Sequence, residues 1–143
     1  MAEGIFKKAV EGRSDYQVSS AGVSASKGTP CSSETQTLLK SRGAALPDFR
    51  SRPVTDAILS EATHVFAMTR YHLETLVERF PQHADKFYLT CEFAELPEGG
   101  FGHDVPDPIG MGRRAYEEVA ETLDTAIPTI IAYVDQTWKP EEA

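Results

Sequence analysis

The chain has 143 residues, 41% hydrophobic and 25% charged, which fits a single domain over residues 1–143 with one core. Its 14 basic and 22 acidic residues give a net charge of −8, which excludes a general nucleic-acid binder built on a basic face. No apolar run approaches the roughly 20 residues of a membrane span. Met1-Ala2-Glu3-Gly4 lacks the basic-then-apolar pattern of a secretory signal, so a cytoplasmic setting is expected.

Residues 1–13 read as a helix with Ile5, Phe6, Ala9 and Val10 on one edge and Glu3, Lys7, Lys8 and Glu11 opposite. Tyr16 to Ser20 is a short strand candidate closed by Ala21-Gly22, and Ser24 to Thr29 is a small polar loop. Ser32 or Ser33 caps a helix running to about Arg42, where Gly43 stops it. Leu46 to Pro53 is a basic loop holding Arg50-Ser51-Arg52, and Thr55 opens a brief helix over 56–61. His64 to Met68 is a nearly continuous apolar run, the pattern of a buried parallel strand.

Thr69 caps the next helix, Tyr71 to Phe80, with Leu73, Leu76, Val77 and Phe80 facing inward. Lys86 to Leu89 is a third strand, and Glu92 to Gly102 a Gly/Pro loop. From Gly112 a long helix carries Tyr116, Val119, Ala120, Leu123, Ile127, Ile130, Ile131 and Val134 at three- and four-residue spacing. Pro128 should kink it, and Lys139-Pro140 should end it.

Helices and strands alternate with long connections, which predicts an α/β fold with a doubly wound parallel sheet covered on both faces in three layers. Sites in such folds lie beyond the carboxyl ends of the strands, so Ser20, Met68 and the loop before Asp107 should gather at one edge. Asp107 stands between Pro106 and Pro108, which fix φ on both flanks and hold the carboxylate out of the following helix. Such an acid is either a turn starter or a catalytic carboxylate. The cysteines, Cys31 and Cys91, form no CxxC and no His/Cys cluster, so neither a metal nor another cofactor is expected. Each reads as a small buried hydrophobe.

Met1-Ala2-Glu3-Gly4-Ile5-Phe6, Val18-Ser19-Ser20-Ala21-Gly22, Arg50-Ser51-Arg52, Met68-Thr69 and Asp104-Val105-Pro106-Asp107-Pro108-Ile109-Gly110 occur in fixed order. In that order and spacing the chain resembles the low-molecular-weight protein tyrosine phosphatases over essentially its whole length. The resemblance implies a phosphatase acting on phosphorylated protein or small aryl phosphates through a phosphocysteine intermediate. It assigns Asp107 as general acid and Ser20 as the brace of a phosphate loop. Pro108, Ile109 and Gly110 become one wall of the substrate cleft. Ile109-Gly110 is smaller than the paired tyrosines of many phosphotyrosine-directed members and is similar to bacterial ones, including protein arginine phosphatases. Phe49 replaces a frequent histidine, and Ser26 or Lys27 a frequent wall aromatic, which leaves phosphotyrosine against phosphoarginine open.

Family members open with a central strand and a Cys-x5-Arg-Ser-Pro loop, followed by a helix starting Met-Ala-Glu. Residues 1–143 begin at that methionine, so the first strand and the loop have no counterpart here. Six residues after Cys31 stands Thr37, and six after Cys91 stands Pro97. Neither cysteine has the arginine that clamps a phosphoryl group, so no nucleophile is assigned. One expectation follows: Met1 is internal, and roughly 15 to 20 further residues supply the strand and loop. A native fold without that strand would need the sheet to close up or a second chain to fill the gap, as in a dimer. As they stand, these residues should be inactive. The alternative is a non-catalytic binding or regulatory remnant. Arsenate reduction on the same fold would need further redox cysteines, and Cys91 has no suitable partner nearby.

Overall fold

The computed structural model describes residues 1–23 and 28–138. Helix α1 spans Ala2–Ala9, α2 Ser33–Ser41 and α3 Asp56–Glu61. Strand β1, Val65–Ala67, is followed by α4, Arg70–Arg79, a 3-10 turn over Pro81–Lys86, and β2, Phe87–Leu89. Helix α5, Arg113–Thr137, closes the chain.

Three helix starts follow from hydroxyl caps. Ser32 accepts from the Thr35 N–H at 3.3 Å, Thr55 from Ile58 at 3.2 Å and Thr69 from His72 at 3.1 Å. Each satisfies one backbone donor that the first helical turn leaves open. Gly43 ends α2 with φ +67°, a left-handed conformation that glycine adopts without a Cβ penalty. Helix α1 is shorter than the predicted 1–13: it stops at Ala9, and Gly12 at φ +86° turns the chain away.

β1 and β2 pair in parallel, with Val65 opposite Phe87 and Ala67 opposite Leu89, and α4 connects them and packs on both. The α/β class and the parallel pairing therefore stand, with two strands among the described residues rather than three. Tyr16 to Ser20 is not a strand. A strand is defined by a partner, and among the described residues no backbone ladder joins this segment to another. The nearest pairing is an isolated parallel bridge between Gly22 and Pro53.

The core lies where α1, α2 and α5 meet the loop that follows β2. Leu39, Leu123 and Ile127 are almost fully buried, with Cys91 and Ala94 beside them. The α5 periodicity holds: Tyr116, Val119, Ala120, Leu123, Ile127 and Ile130 are buried, Ala126 joins them, and Ile131 and Val134 are half-buried. The helix continues through Pro128, which sits on the exposed face. In α4 only Leu76 is buried. Leu73 and Phe80 are half-buried, and Val77, predicted inward, is 41% exposed. The predicted loop at 24–27, with the cleft positions Ser26 and Lys27, and the predicted stop at Lys139-Pro140 lie outside the described residues. No described helix is long and apolar enough to cross a membrane.

Candidate active site

The site is built on the end of β1. The Met68 carbonyl accepts from the Val105 N–H at 2.8 Å, and one residue earlier the Asp104 carboxylate accepts from the Arg70 N–H at 2.9 Å. Val105 is buried, which seats this short stretch in the core. Upstream, Gly102 donates to the Cys91 carbonyl at 2.9 Å, so the loop after β2 is fastened at both ends.

The chain then leaves the core through Pro106 and presents Asp107 on the surface. One carboxylate oxygen of Asp107 accepts from the Ile109 N–H at 3.0 Å, an Asx turn that fixes the side chain against its own backbone. The second oxygen makes no hydrogen bond among the described residues. The Met111 N–H donates to the Pro108 carbonyl at 2.9 Å, and Gly110 and Gly112, at φ +77° and +84°, complete the turn into α5. Pro108 is half-buried, while Ile109 is 70% exposed and leaves its side chain free for contact.

Ser20 is placed differently. Its hydroxyl donates to Glu3 at 2.6 Å, and its carbonyl accepts from Arg52 at 3.1 Å. Glu3 in turn accepts from Lys7 at 3.0 Å. Ser20 therefore ties the opening of α1 to the basic loop, and among the described residues none of its hydrogen bonds reaches the segment around Asp107. Met68 and the Asp107 loop are joined directly, as the topology predicts. Arg50 donates to the Phe49 carbonyl, so both arginines of the loop brace backbone.

Of the two cysteines, Cys91 is the buried hydrophobe that the sequence predicts, and Cys31 is not. Cys91 is fully buried, and burial pushes its thiol above the ordinary value. Cys31 is half-buried, and its carbonyl accepts from Gln36 at 2.7 Å. Among the described residues no group of His, Cys, Asp or Glu is arranged to hold a metal. A groove of about 380 Å³ between α2 and α5 is lined by Leu38, Arg42 and Tyr116 and includes none of these site residues.

Two residues escaped the sequence reading. Glu3 carried only the signal of an acid in a first helical turn. Asp104 is 34 residues from its partner, and no local pattern links the two.

The model of the family described as low molecular weight phosphotyrosine protein phosphatase matches residues 1–139. A protein-arginine-phosphatase of Geobacillus stearothermophilus is 34% identical over 111 residues, which are 78% of this chain and 72% of that relative. One from Bacillus subtilis (strain 168) is 30% identical over 125 residues, 87% of this chain and 80% of that relative. A solved low molecular weight protein tyrosine phosphatase from T. tengcongensis is 37% identical with a TM-score of 0.82, covering 92% of this chain and 88% of its own.

Proposed function

The chain belongs to the low molecular weight phosphotyrosine protein phosphatase family, and from that premise we propose that residues 1–143 carry the acid–base half of a protein phosphatase site. The observation that supports this most directly is Asp107. It is an exposed carboxylate between two prolines, on a loop bonded to the end of β1, with one oxygen held by Ile109 and the other without a hydrogen bond among the described residues. In this reading a cysteine thiolate attacks phosphorus. The protonated Asp107 gives its proton to the leaving oxygen of tyrosine or the leaving nitrogen of arginine. Asp107, now a carboxylate, takes a proton from water, and that water cleaves the S–P bond of the phosphocysteine.

Pro108, Ile109 and Gly110 form one wall of the cleft. The two relatives named protein-arginine-phosphatase support phosphoarginine as the substrate class alongside phosphotyrosine.

Residues 1–143 contain no Cys-x5-Arg sequence, so this reading draws the thiolate and its arginine from outside them. A polypeptide of these residues alone should show no hydrolysis of an aryl phosphate. Turnover that Asp107→Ala abolishes would overturn this. The DNA in frame ahead of Met1 decides the rest. A Cys-x5-Arg-Ser-Pro there supports catalysis, and in protein carrying it Asp107→Asn should lower kcat about 10²–10⁴-fold. A stop codon there favours a non-catalytic binding or regulatory module, a reading that the missing Cys-x5-Arg keeps in play.

A further inference from the structure

We infer that Asp104 is the positioning residue of the Asp107 loop, holding it in register with the end of β1 through the first N–H of α4. The inference takes its functional meaning from the reading of Asp107 as a proton donor.

Asp107 is held on its C-terminal side by a local turn. On its N-terminal side the hydrogen bonds nearest to it in the chain are those at Asp104 and Val105. Asp104 reaches the Arg70 N–H, and the Val105 N–H reaches the Met68 carbonyl. These two bonds grip the backbone on either side of Thr69 and run in opposite directions. Together they fix both the position and the heading of the chain as it enters Pro106. Pro106 then fixes φ, so little freedom remains before Asp107.

The carboxylate is suited to this role. It accepts from a backbone N–H at a helix N-terminus, where the open donors and the helix dipole both favour negative charge. Such charge-assisted bonds are the stronger kind. A second strap reinforces the first: the Arg70 guanidinium reaches the Gly102 carbonyl at 3.5 Å, two residues before Asp104.

The competing role is that Asp104 only supports α4. The helix, however, already has its own cap in Thr69, which accepts from His72. Removing Thr69 weakens the helix start and leaves the Asp104 bond in place, so Thr69→Ala separates the two roles.

The test uses the whole chain and needs no turnover, so a failure of the phosphatase reading leaves it intact. Amide hydrogen exchange and two-dimensional NMR are recorded for the wild type, Asp104→Ala, Asp104→Asn and Thr69→Ala. The Ile109 amide resonance should report its hydrogen bond to Asp107. In Asp104→Ala that resonance should move toward its unbonded position, and Val105 amide protection should fall about tenfold, the scale of one charge-assisted bond. Asp104→Asn keeps an oxygen acceptor and should retain most of both. Thr69→Ala should leave both unchanged. If the alanine variant does not fold, Asp104→Leu, which also lacks an acceptor, gives the same comparison. Unchanged Val105 protection and an unmoved Ile109 resonance in the variant without an acceptor at position 104 would overturn the inference. Equal losses in Thr69→Ala would do the same.

Discussion

At Gly4 the absence of a Cβ sets the distance between α1 and the turn that ends α2. A Cβ there would stand 2.9 Å from the Ala44 carbonyl oxygen and 2.9 Å from both Leu39 methyls. Leu39 is almost fully buried and the carbonyl is backbone, so neither can yield easily. Overpacking of this kind costs about 1–3 kcal/mol, whereas alanine's helix preference returns up to about 1 kcal/mol. Gly4→Ala should therefore lower stability by about 1–2 kcal/mol, read as a lower urea midpoint with an unchanged slope. An unchanged or higher midpoint would mean that α1 can move away. The residue scale also shows what a sequence reveals. The turn that presents Asp107 was legible because its two prolines are its immediate neighbours. Asp104 was not, because its partner at Arg70 is brought to it only by the fold.

At the scale of elements, the three hydroxyl caps and the Gly43 stop were legible, whereas the end of α1 and one strand were not. Thr55, Thr69 and Ser32 satisfy donors three residues ahead, so the rule that finds them is local. The apolar run of β1 was equally plain. Tyr16 to Ser20 has a strand's composition, yet strand formation depends on a distant partner that local pattern cannot supply.

β1 opens beside His64, whose ring stacks on Phe66 and Tyr88 and meets the Trp138 edge at 5.4 Å. Burial pushes the His64 imidazole below its ordinary value, which favours the neutral ring in the folded protein. The sign of the pH effect follows. The contribution is fully present above the unfolded value of about 6.5 and is lost as pH falls, because the unfolded chain takes the proton more readily. Thermal midpoints measured from pH 7.5 down to 5.5 should fall less steeply in His64→Gln than in the wild type. Parallel curves would place the effect on another group.

At the scale of the molecule, α5 is the member that α1 and α2 share. Among the described residues, ion pairs fasten it at two points. Arg42 grips Asp124 through two bonds of 2.7 and 2.9 Å, and Arg13 grips Asp135 through two of 3.0 Å while lying 4.6 Å from the Tyr16 ring centroid. Both pairs are partly exposed, so they set alignment more than they supply energy. The energy lies in buried apolar residues such as Leu123, which is 1% exposed. Leu123→Ala should cost about 2–5 kcal/mol, a large share of a stability of roughly 5–15 kcal/mol. A loss below about 1 kcal/mol in chemical denaturation would mean that the helices collapse around the cavity.

The Asx turn at Asp107 has a consequence for how this surface can diverge. The acid is oriented by the backbone N–H of residue 109 and by ring constraints at 106 and 108, and the Ile109 side chain takes no part. Any side chain except proline supplies that same N–H. On the proposed reading of Asp107 as proton donor and residue 109 as cleft wall, the two roles occupy neighbouring positions without sharing a determinant. In that reading a change of side chain at position 109 alters the wall while the acid keeps its aim.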